Sequence, residues 1–237
     1  MLRFVTKKEL WDIEDSGILK KFKQHSLWHL KTIQDAVTWS VIHDAKGQTI
    51  GEVGGGDSRL LRPLAKSNTC YNVDKFAGLD GGPAKEIVIP GVKNVVSFIG
   101  ATEGLIAPET FDILFSVSVM EHVPTANLPD FFSDCHRILK PGGKMLHLID
   151  LYVADEDENN QPSRERVGAY RAAFETGEFT PMNPADPIID TSDVKFSCAY
   201  TSNPDNAMQV WNKAAPKLRS RREICQSCTL ILKARRV

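Results

Sequence analysis

The sequence lacks two features that would assign the protein to a membrane or to a nucleic acid. No apolar run in its 237 residues approaches the ~18 residues that a membrane-spanning helix needs. The formal net charge is -1, so no excess of positive charge attracts nucleic acid or an anionic lipid surface. We therefore expect neither a nucleic-acid partner nor a membrane partner.

Cysteine is also scarce, and the N-terminus lacks the pattern of a targeting segment. Five cysteines are few for this length and odd in number, which favours reduced thiols over a disulfide framework. Acidic residues are frequent before residue 16, whereas signal and transit peptides are poor in acid. These two features predict a cytoplasmic protein.

Strand and helix patterns alternate between residues 48 and 151. A hydrophobic fraction of 42% suits one α/β domain of this length. Apolar and β-branched runs predict strands at Thr49–Val53, Thr69–Val73, Val95–Ile99, Phe111–Val117 and Lys144–Leu151. Helices are predicted at Ser58–Ala65 and Leu128–Leu139, and a loop at residues 75–92. Such alternation predicts right-handed βαβ units in a parallel sheet, with a ligand beyond the carboxyl ends of the strands.

The segment before this core, residues 1–47, is predicted to be helical. Its apolar residues recur at helical spacing, and Ser26 is a candidate helix cap. The helices either pack on the domain or form a lid over a pocket. The remaining residues, 48–237, would form a single domain.

The segment after the core, residues 151–193, is predicted to be an insertion or cap that selects the substrate. Its helix, near residues 164–174, either lines the substrate pocket or is a solvated amphipathic helix. The candidate apolar wall and the candidate anion-binding arginines are Tyr170, Phe174, Phe179, Arg164, Arg166 and Arg171. Two further strands are predicted at Val194–Tyr200 and Cys228–Ala234.

A glycine-rich turn joins the first predicted strand of the core to its first predicted helix. It reads Glu52-Val53-Gly54-Gly55-Gly56-Asp57-Ser58. Glycines let the backbone turn sharply and approach a ligand, and the helix that follows offers free N–H groups. A dinucleotide-binding loop would need a third glycine at the position of Arg59, whose side chain would crowd the packing of helix on strand. The turn therefore disfavours a nicotinamide or flavin dinucleotide.

A carboxylate closes the next predicted strand, 20 residues after Gly54. Asp74 stands where an acidic side chain can accept hydrogen bonds from both hydroxyls of a ribose. Alone it would be read as an ordinary turn aspartate. With the glycine turn ahead of it, the ribose role is favoured.

Five pieces of the sequence share their order and spacing with a known family. They are Glu52–Gly56, Asp74, Phe111–Ser116, Met120–Pro124 and Arg137–Gly143. Through them, residues 48–151 resemble the class I S-adenosylmethionine-dependent methyltransferases, in the small-molecule, methyltransferase type 11-like branch. The resemblance implies a Rossmann-like, doubly wound, mostly parallel seven-stranded sheet with helices on both faces. It also implies S-adenosylmethionine as cofactor and S-adenosylhomocysteine as product.

The resemblance implies a cofactor site and a role for each part of it. The residues are Glu52, Gly54, Gly55, Gly56, Ser58, Asp74, Gly100, Ala101, Thr102 and Ser116. Glu52 and the backbone carbonyl of Ser116 would hold the methionine ammonium, and the glycines would pass beneath the cofactor. Asp74 would hold the ribose, and residues 100–102 would lie along the adenine.

The chain departs from the family pattern at two positions of this site. Many members have an aspartate where this chain has Ala101, so Thr102 or Glu103 would have to contact the adenine amino group instead. Ser58 stands in place of the third loop glycine. Its hydroxyl either caps the helix or contacts the ligand carboxylate.

An oxygen acceptor has to lose its proton, and three side chains are candidates for the base. His122 follows the fourth core strand, whereas His147 and Asp150 lie on the fifth. His147 and Asp150 are three residues apart, so on an ideal strand they point to opposite faces. Asp150 is nearer the expected cleft, and His147 is expected to pack within the sheet. No metal site is predicted, because the CxxC pair Cys225 and Cys228 has no second pair.

These motifs predict an enzyme that methylates a small molecule, with an oxygen of a sugar or secondary metabolite as the acceptor. The alternative is a catalytically silent module on the same fold, binding a cofactor or a partner. A nucleic-acid methyltransferase is disfavoured, since residues 116–119 contain no Asn-Pro-Pro-Tyr type tetrapeptide. The expected oligomeric state is a monomer or a homodimer.

Overall fold

The protein is built on one large sheet. The computed structural model describes residues 1–21, 30–78, 82–201 and 219–237. Within them eight strands form the sheet, in the order β1-β8-β6-β5-β2-β3-β4, with β7 also paired to β8. The strands are β1 (Leu2–Phe4), β2 (Thr49–Val53), β3 (Thr69–Asp74), β4 (Val92–Val96), β5 (Phe111–Val117), β6 (Leu139–Val153), β7 (Phe179–Pro181) and β8 (Gln226–Arg236).

The middle of the sheet is parallel and one edge is antiparallel. Strands β4, β3, β2, β5 and β6 run in the same direction, whereas β8 runs against β6, β1 and β7. The chain moves outward from β2 to β4 and then returns to the other side of β2 with β5. The order therefore reverses between β2 and β5, where such folds bind ligands at the carboxyl ends of the strands. The doubly wound, mostly parallel fold is confirmed, and the described part of the chain contributes eight strands where seven were predicted.

Helices cover both faces of the sheet. They are α1 (Lys7–Asp15), α2 (Leu30–Ile42), α3 (Leu61–Leu64), α4 (Leu128–Ile138), α5 (Gln161–Glu175) and α6 (Arg219–Ile224). Short 3₁₀ turns lie at Ile18–Lys21, Met120–His122, Thr125–Asn127, Asp157–Asn160 and Thr191–Asp193.

Two apolar clusters separate the two faces. One contains buried residues of α1, α2 and α3, and we call this side of the sheet the α2 face. The other contains residues of α4 and α5, and we call it the α4 face. In β5, Ile113 and Phe115 belong to the first cluster and Leu114 to the second, as the two-residue period of a strand requires.

The N-terminal segment is only partly the predicted set of helices. Leu2–Phe4 pairs antiparallel with β8, with Leu2 opposite Leu232, and so covers part of that strand's edge. Thr6 caps α1 by accepting a hydrogen bond from the Glu9 backbone N–H at 3.2 Å. A strand of three residues is too short to show a period, and for this reason the sequence did not reveal it. The predicted cap Ser26 lies outside the described residues.

The predicted boundaries differ from the structure at several elements. The helix after the glycine turn is one turn, Leu61–Leu64, and β4 lies three residues earlier than predicted. Strand β6 begins at Leu139, so the Pro-Gly-Gly run is an irregularity inside it. The described residues between β3 and β4 contain no helix, as predicted.

The predicted strand at residues 194–200 is wrong. Only an isolated bridge between Thr6 and Tyr200 occurs there. Its apolar residues serve packing instead, because the Tyr200 ring stacks on Phe4 at 4.4 Å and Phe196 packs against the α4-face cluster.

Candidate active site

The glycine turn after β2 has no room for side chains. Gly54 and Gly56 have φ angles of +63° and +51°. A Cβ added to Gly54 would lie 2.6 Å from Cγ2 of Val119, and one added to Gly55 would lie 2.7 Å from Oδ1 of Asn72. Both distances are far below van der Waals contact, so only glycine fits. The turn can therefore present bare backbone to a ligand.

Glu52 begins this turn and is fully enclosed. Ser58 donates a hydrogen bond to the Glu52 carboxyl. The same hydroxyl accepts the Leu61 backbone N–H at 2.9 Å, so the capping interpretation of Ser58 holds. Burial raises the pKa of Glu52 to about 8, from an ordinary value of 4.5. A ligand that places a positive charge beside this carboxyl would stabilise its ionised form.

Asp74 ties the end of β3 to the glycine turn. Its Oδ2 accepts the Gly56 N–H at 2.9 Å and its Oδ1 accepts the Phe76 N–H at 2.7 Å. The two bonds fix the carboxylate plane beside the turn, and each oxygen keeps a lone pair for a further donor.

The predicted adenine segment is held from below by α4. Asp134 accepts the Gly100 N–H at 2.7 Å and the Thr102 hydroxyl at 2.7 Å. Arg137 also bonds the Thr102 hydroxyl, at 2.8 Å. Thr102 is therefore buried and bonded within the protein, so its side chain does not replace the aspartate that many family members have at the position of Ala101. Ala101 and Glu103 are exposed.

His147 lies away from the cleft, buried beside Ser116, so it cannot act as the candidate base. Its Nδ1 lies 2.7 Å from the Ser116 hydroxyl, and its ring lies 5.4 Å from that of Phe131 in α4. Both His147 and Ser116 are fully buried on the α4 face. Burial lowers the pKa of His147 to about 3, so the ring stays neutral. Asp150, flanked by Ile149 and Leu151 of the α4-face cluster, points to the opposite face, as the spacing predicted.

Ser116 is not the last residue of its strand. The strand continues to Val117, and the turn after it is made by Ser118, whose φ angle is +52°. The Ser118 N–H bonds the carbonyl of Leu148 at 2.9 Å. This turn brings Val119 over Gly54.

A cluster of polar residues interrupts the α2 face at the end of β6. Asp150 accepts the Ser227 hydroxyl, and burial raises its pKa. Glu121, in the turn after β5, is nearly buried, and its Oε2 has no hydrogen-bond partner among the described residues. Burial, reinforced by the charge of Asp150, raises the pKa of Glu121 to about 8. Two interacting carboxyls with raised pKa values therefore lie beside the carboxyl end of β5.

The same cluster contains cationic and aromatic groups. The guanidinium groups of Arg221 and Arg222 lie 5.0 and 6.0 Å from the ring centre of Tyr152. Glu121 was not predicted as a site residue, although it lies in the Met120–Pro124 motif, because the neighbouring His122 is the more usual base. His122 is 46% exposed, with its Nε2 4.0 Å from Oε1 of Glu121.

Replacing Glu121 by glutamine is expected to stabilise the free protein at high pH. The pKa of Glu121 is higher in the folded state than in the unfolded chain, so its protonation stabilises the fold below pH 4.5, and this contribution is lost as pH rises through 8. A neutral amide avoids that loss. One pKa unit corresponds to about 1.4 kcal/mol, so Glu121→Gln should gain about 2 kcal/mol or more in free energy of unfolding at pH 8.5.

The measurement is urea unfolding at pH 5 and pH 8.5. The exposed Glu103→Gln should change neither value. An equal effect of Glu121→Gln at both pH values would contradict the burial of an acid with a raised pKa.

The segment predicted to be a substrate cap packs on the α4 face. Tyr170 and Phe179 are buried in the α4-face cluster, and the Tyr170 hydroxyl bonds the carbonyl of Met120 at 3.3 Å. The three arginines bind protein groups: Arg164 pairs with Asp157, Arg166 with the carbonyl of Val123, and Arg171 with Asp190. These internal contacts favour the alternative in which the helix does not hold a substrate anion.

The described residues contain neither a candidate metal site nor a candidate membrane span. Within them, no three His, Cys, Asp or Glu side chains are grouped so that they could hold a metal ion. Cys225 and Cys228 are buried free thiols, and burial raises the pKa of both. No helix of the described part is long and apolar enough to cross a membrane.

Comparison with known proteins supports the same family. Residues 51–147 match the family model described as a methyltransferase domain. None of the curated proteins compared is significantly similar in sequence.

Two solved structures illustrate the likeness of fold. Geranyl diphosphate C-methyltransferase from Streptomyces coelicolor A3(2), solved with Mg²⁺, geranyl diphosphate and S-adenosyl-L-homocysteine, is 13% identical, with a TM-score of 0.53 over 91% of this chain and 87% of that one. The YcgJ protein from Bacillus subtilis is 12% identical, with a TM-score of 0.50 over 84% of this chain and 96% of that one. At these identities the likeness concerns the fold alone. Residues 51–147 therefore match a methyltransferase domain, and the chain has the fold of S-adenosylmethionine-dependent methyltransferases.

Proposed function

We propose that the protein transfers the methyl group of S-adenosylmethionine to a proton-bearing oxygen of a small molecule, such as a sugar or secondary metabolite. The observation that carries the proposal is the meeting of three features at one edge of the sheet. These are the glycine turn that excludes side chains, the enclosed Glu52 and the Asp74 carboxylate bonded to Gly56.

These residues fit the cofactor part by part. Glu52 suits the methionine ammonium because the positive charge offsets the cost of ionising a buried acid. Asp74 suits the ribose hydroxyls, and the backbone of Gly54–Gly56 suits a close approach. The bare backbone of residues 100 and 101 suits one edge of the adenine, with α4 holding it in place. The carbonyls at the end of β5, including that of Ser116, are the proposed second contact of the ammonium.

On the acceptor side, we propose that Glu121 and Asp150 assist in removing the proton of the acceptor hydroxyl. The cofactor supplies an electrophilic methyl group bound to sulfur. An attacking hydroxyl must lose its proton, and Glu121 can receive it when its carboxyl is ionised, a form that becomes more populated as pH rises toward its pKa of about 8. His122 remains a proposed base at the exposed side of this pair. His147 is left out, because it is buried on the other face.

Two broader features belong to the same proposal. Residues 48–237 form the methyltransferase domain, and residues 1–47 add α1 and α2 to its α2 face. The protein acts without a nucleic-acid partner, as a monomer or homodimer. Size-exclusion chromatography with light scattering measures the oligomeric state.

Replacing Asp74 by alanine tests the placement of the cofactor. The variant loses a charged acceptor for two hydroxyls, and hydrogen bonds to charged groups contribute about 1.5–3 kcal/mol each. The dissociation constant of S-adenosylhomocysteine should rise by about 10- to 100-fold, measured by isothermal titration calorimetry.

The matched control is Asp57→Ala in the same turn. It removes the same charge from an exposed residue that pairs with Arg62. Its affinity should stay within about twofold of the wild type, a difference of roughly 0.4 kcal/mol. Unchanged binding in Asp74→Ala, or no binding of S-adenosylhomocysteine by the wild type, would refute the placement.

A further inference from the structure

Helix α2 has a buried stripe of polar residues. Gln34, Asp35 and Thr38 are all at most 1% exposed, although Ile33 and Val37 of the same helix pack in the apolar cluster. At helical spacing the three polar residues share one face. Buried polar groups almost always have hydrogen-bond partners, so each member of the stripe needs one.

One group of the stripe has no hydrogen-bond partner among the residues that the structure describes. Asp35 pairs with Arg59 at 2.5 Å, and the Thr38 hydroxyl bonds the Gln34 main-chain carbonyl at 2.8 Å. The Gln34 side-chain oxygen accepts the Ser118 hydroxyl. The Gln34 side-chain nitrogen, Nε2, is buried with no hydrogen-bond partner among the described residues. An amide nitrogen is a donor only, so it requires an acceptor such as a ligand oxygen.

The stripe borders the proposed cofactor site at two points. Ser118, which fixes the Gln34 amide, directly precedes Val119, whose side chain closes over Gly54. On the other side, the charges of Asp35, Arg59 and Lys31 all act on the Glu52 carboxyl. The Gln34 side chain is therefore connected through Ser118 to the turn over Gly54, and its neighbour Asp35 acts on the acid proposed to hold the ammonium.

We infer that Gln34 binds the carboxylate of the methionine part of S-adenosylmethionine through its side-chain amide. The inference rests on the proposed function, because it assumes that the ammonium lies at Glu52. In an α-amino acid the carboxylate is one carbon from the ammonium, so its position follows once the ammonium is fixed. Lys31 and Arg59 both place positive charge near Glu52, and Arg59 also offsets the negative charge of Asp35, so an anion is tolerated there. Gln34 is thus a binding residue that no motif of the glycine turn includes.

Two ligands separate this contact from the rest of the site. S-adenosylhomocysteine carries the amino acid group, whereas 5′-deoxy-5′-methylthioadenosine keeps the adenosine and the thioether but lacks that group. Gln34→Leu should raise the dissociation constant of S-adenosylhomocysteine about tenfold and leave that of methylthioadenosine within about twofold.

Gln34→Glu tests whether the ligand group that contacts residue 34 is negatively charged. It keeps the shape but sets a carboxylate against a carboxylate, so S-adenosylhomocysteine should bind more weakly than in Gln34→Leu. The control is Thr38→Val, which removes a buried hydroxyl on the same stripe and should leave both affinities unchanged. Thermal unfolding checks that each variant is folded.

The outcomes are distinct. Wild-type affinity of Gln34→Leu for S-adenosylhomocysteine, an equal loss for both ligands, or tighter binding by Gln34→Glu would overturn the inference while the proposed function stands. No binding of S-adenosylhomocysteine by the wild type would overturn the proposed function, and the inference with it.

Discussion

Replacing Gly54 by alanine should weaken the binding of S-adenosylhomocysteine by at least about 30-fold, measured by isothermal titration calorimetry. The new Cβ would stand 2.6 Å from a methyl of Val119, at a φ angle of +63°. A left-handed backbone costs a non-glycine residue about 1–2 kcal/mol, and the overlap adds to that cost. The clash is relieved only if the turn or Val119 moves into the space where the cofactor is proposed to bind. We therefore expect a larger loss in the free energy of ligand binding than in the free energy of unfolding.

Two further variants separate crowding from backbone strain. Gly47 has almost the same φ angle, +65°, but an added Cβ would meet no atom within 4 Å. Gly47→Ala should therefore cost some stability and leave affinity unchanged. Adding Val119→Ala to Gly54→Ala removes the two methyls that clash and should recover most of the lost affinity. Wild-type binding by Gly54→Ala, or a double variant no better than the single one, would contradict the proposed role of this turn.

The cofactor side of the site was largely predictable from the sequence because its signals are local. The glycine turn and Asp74 each follow directly on a strand whose short apolar run is visible in the sequence. Parallel strands end at the same edge, so two such ends meet without any knowledge of long-range packing. The opposite orientations of His147 and Asp150 followed in the same way from the two-residue period of a strand.

The remaining site residues depend on tertiary packing that no local pattern encodes. Gln34 reaches Ser118 across 84 positions of the chain, and Ser227 reaches Asp150 across 77. In the sequence Gln34 is an ordinary polar residue of an amphipathic helix. Its significance arises only because that face of α2 is buried against the end of β5.

The expectations that the structure does not favour have a common physical origin. Residues 194–200 have the apolar content of a strand, but the Tyr200 ring stacks against Phe4 and does not form part of a strand. The arginines of α5 have the charge of an anion site, but each is used by the protein itself. Composition alone does not distinguish a ligand contact from an internal one, because both satisfy the same side chain.

Binding of S-adenosylhomocysteine should strengthen by up to about tenfold per pH unit between pH 5.5 and 7.5. The pKa of Glu52 in the free protein is about 8, so the side chain is protonated throughout this range. The ligand's ammonium favours the ionised carboxylate, so binding must release a proton, and affinity rises with pH until the free carboxyl ionises by itself. Calorimetry in buffers of different ionisation enthalpy should register close to one proton released per ligand bound.

Substitution of the two enclosed acids identifies which one is responsible. Glu52→Gln should abolish both the proton release and the pH slope, and should bind more weakly than the wild type at pH 7.5. Glu121→Gln should keep the slope, because its carboxyl belongs to the proposed acceptor side although its pKa is equally raised. A slope that persists in Glu52→Gln and disappears in Glu121→Gln would move the ammonium to the other acid. The inferred carboxylate contact at Gln34 would then have to move with it, since both charges belong to one amino acid group.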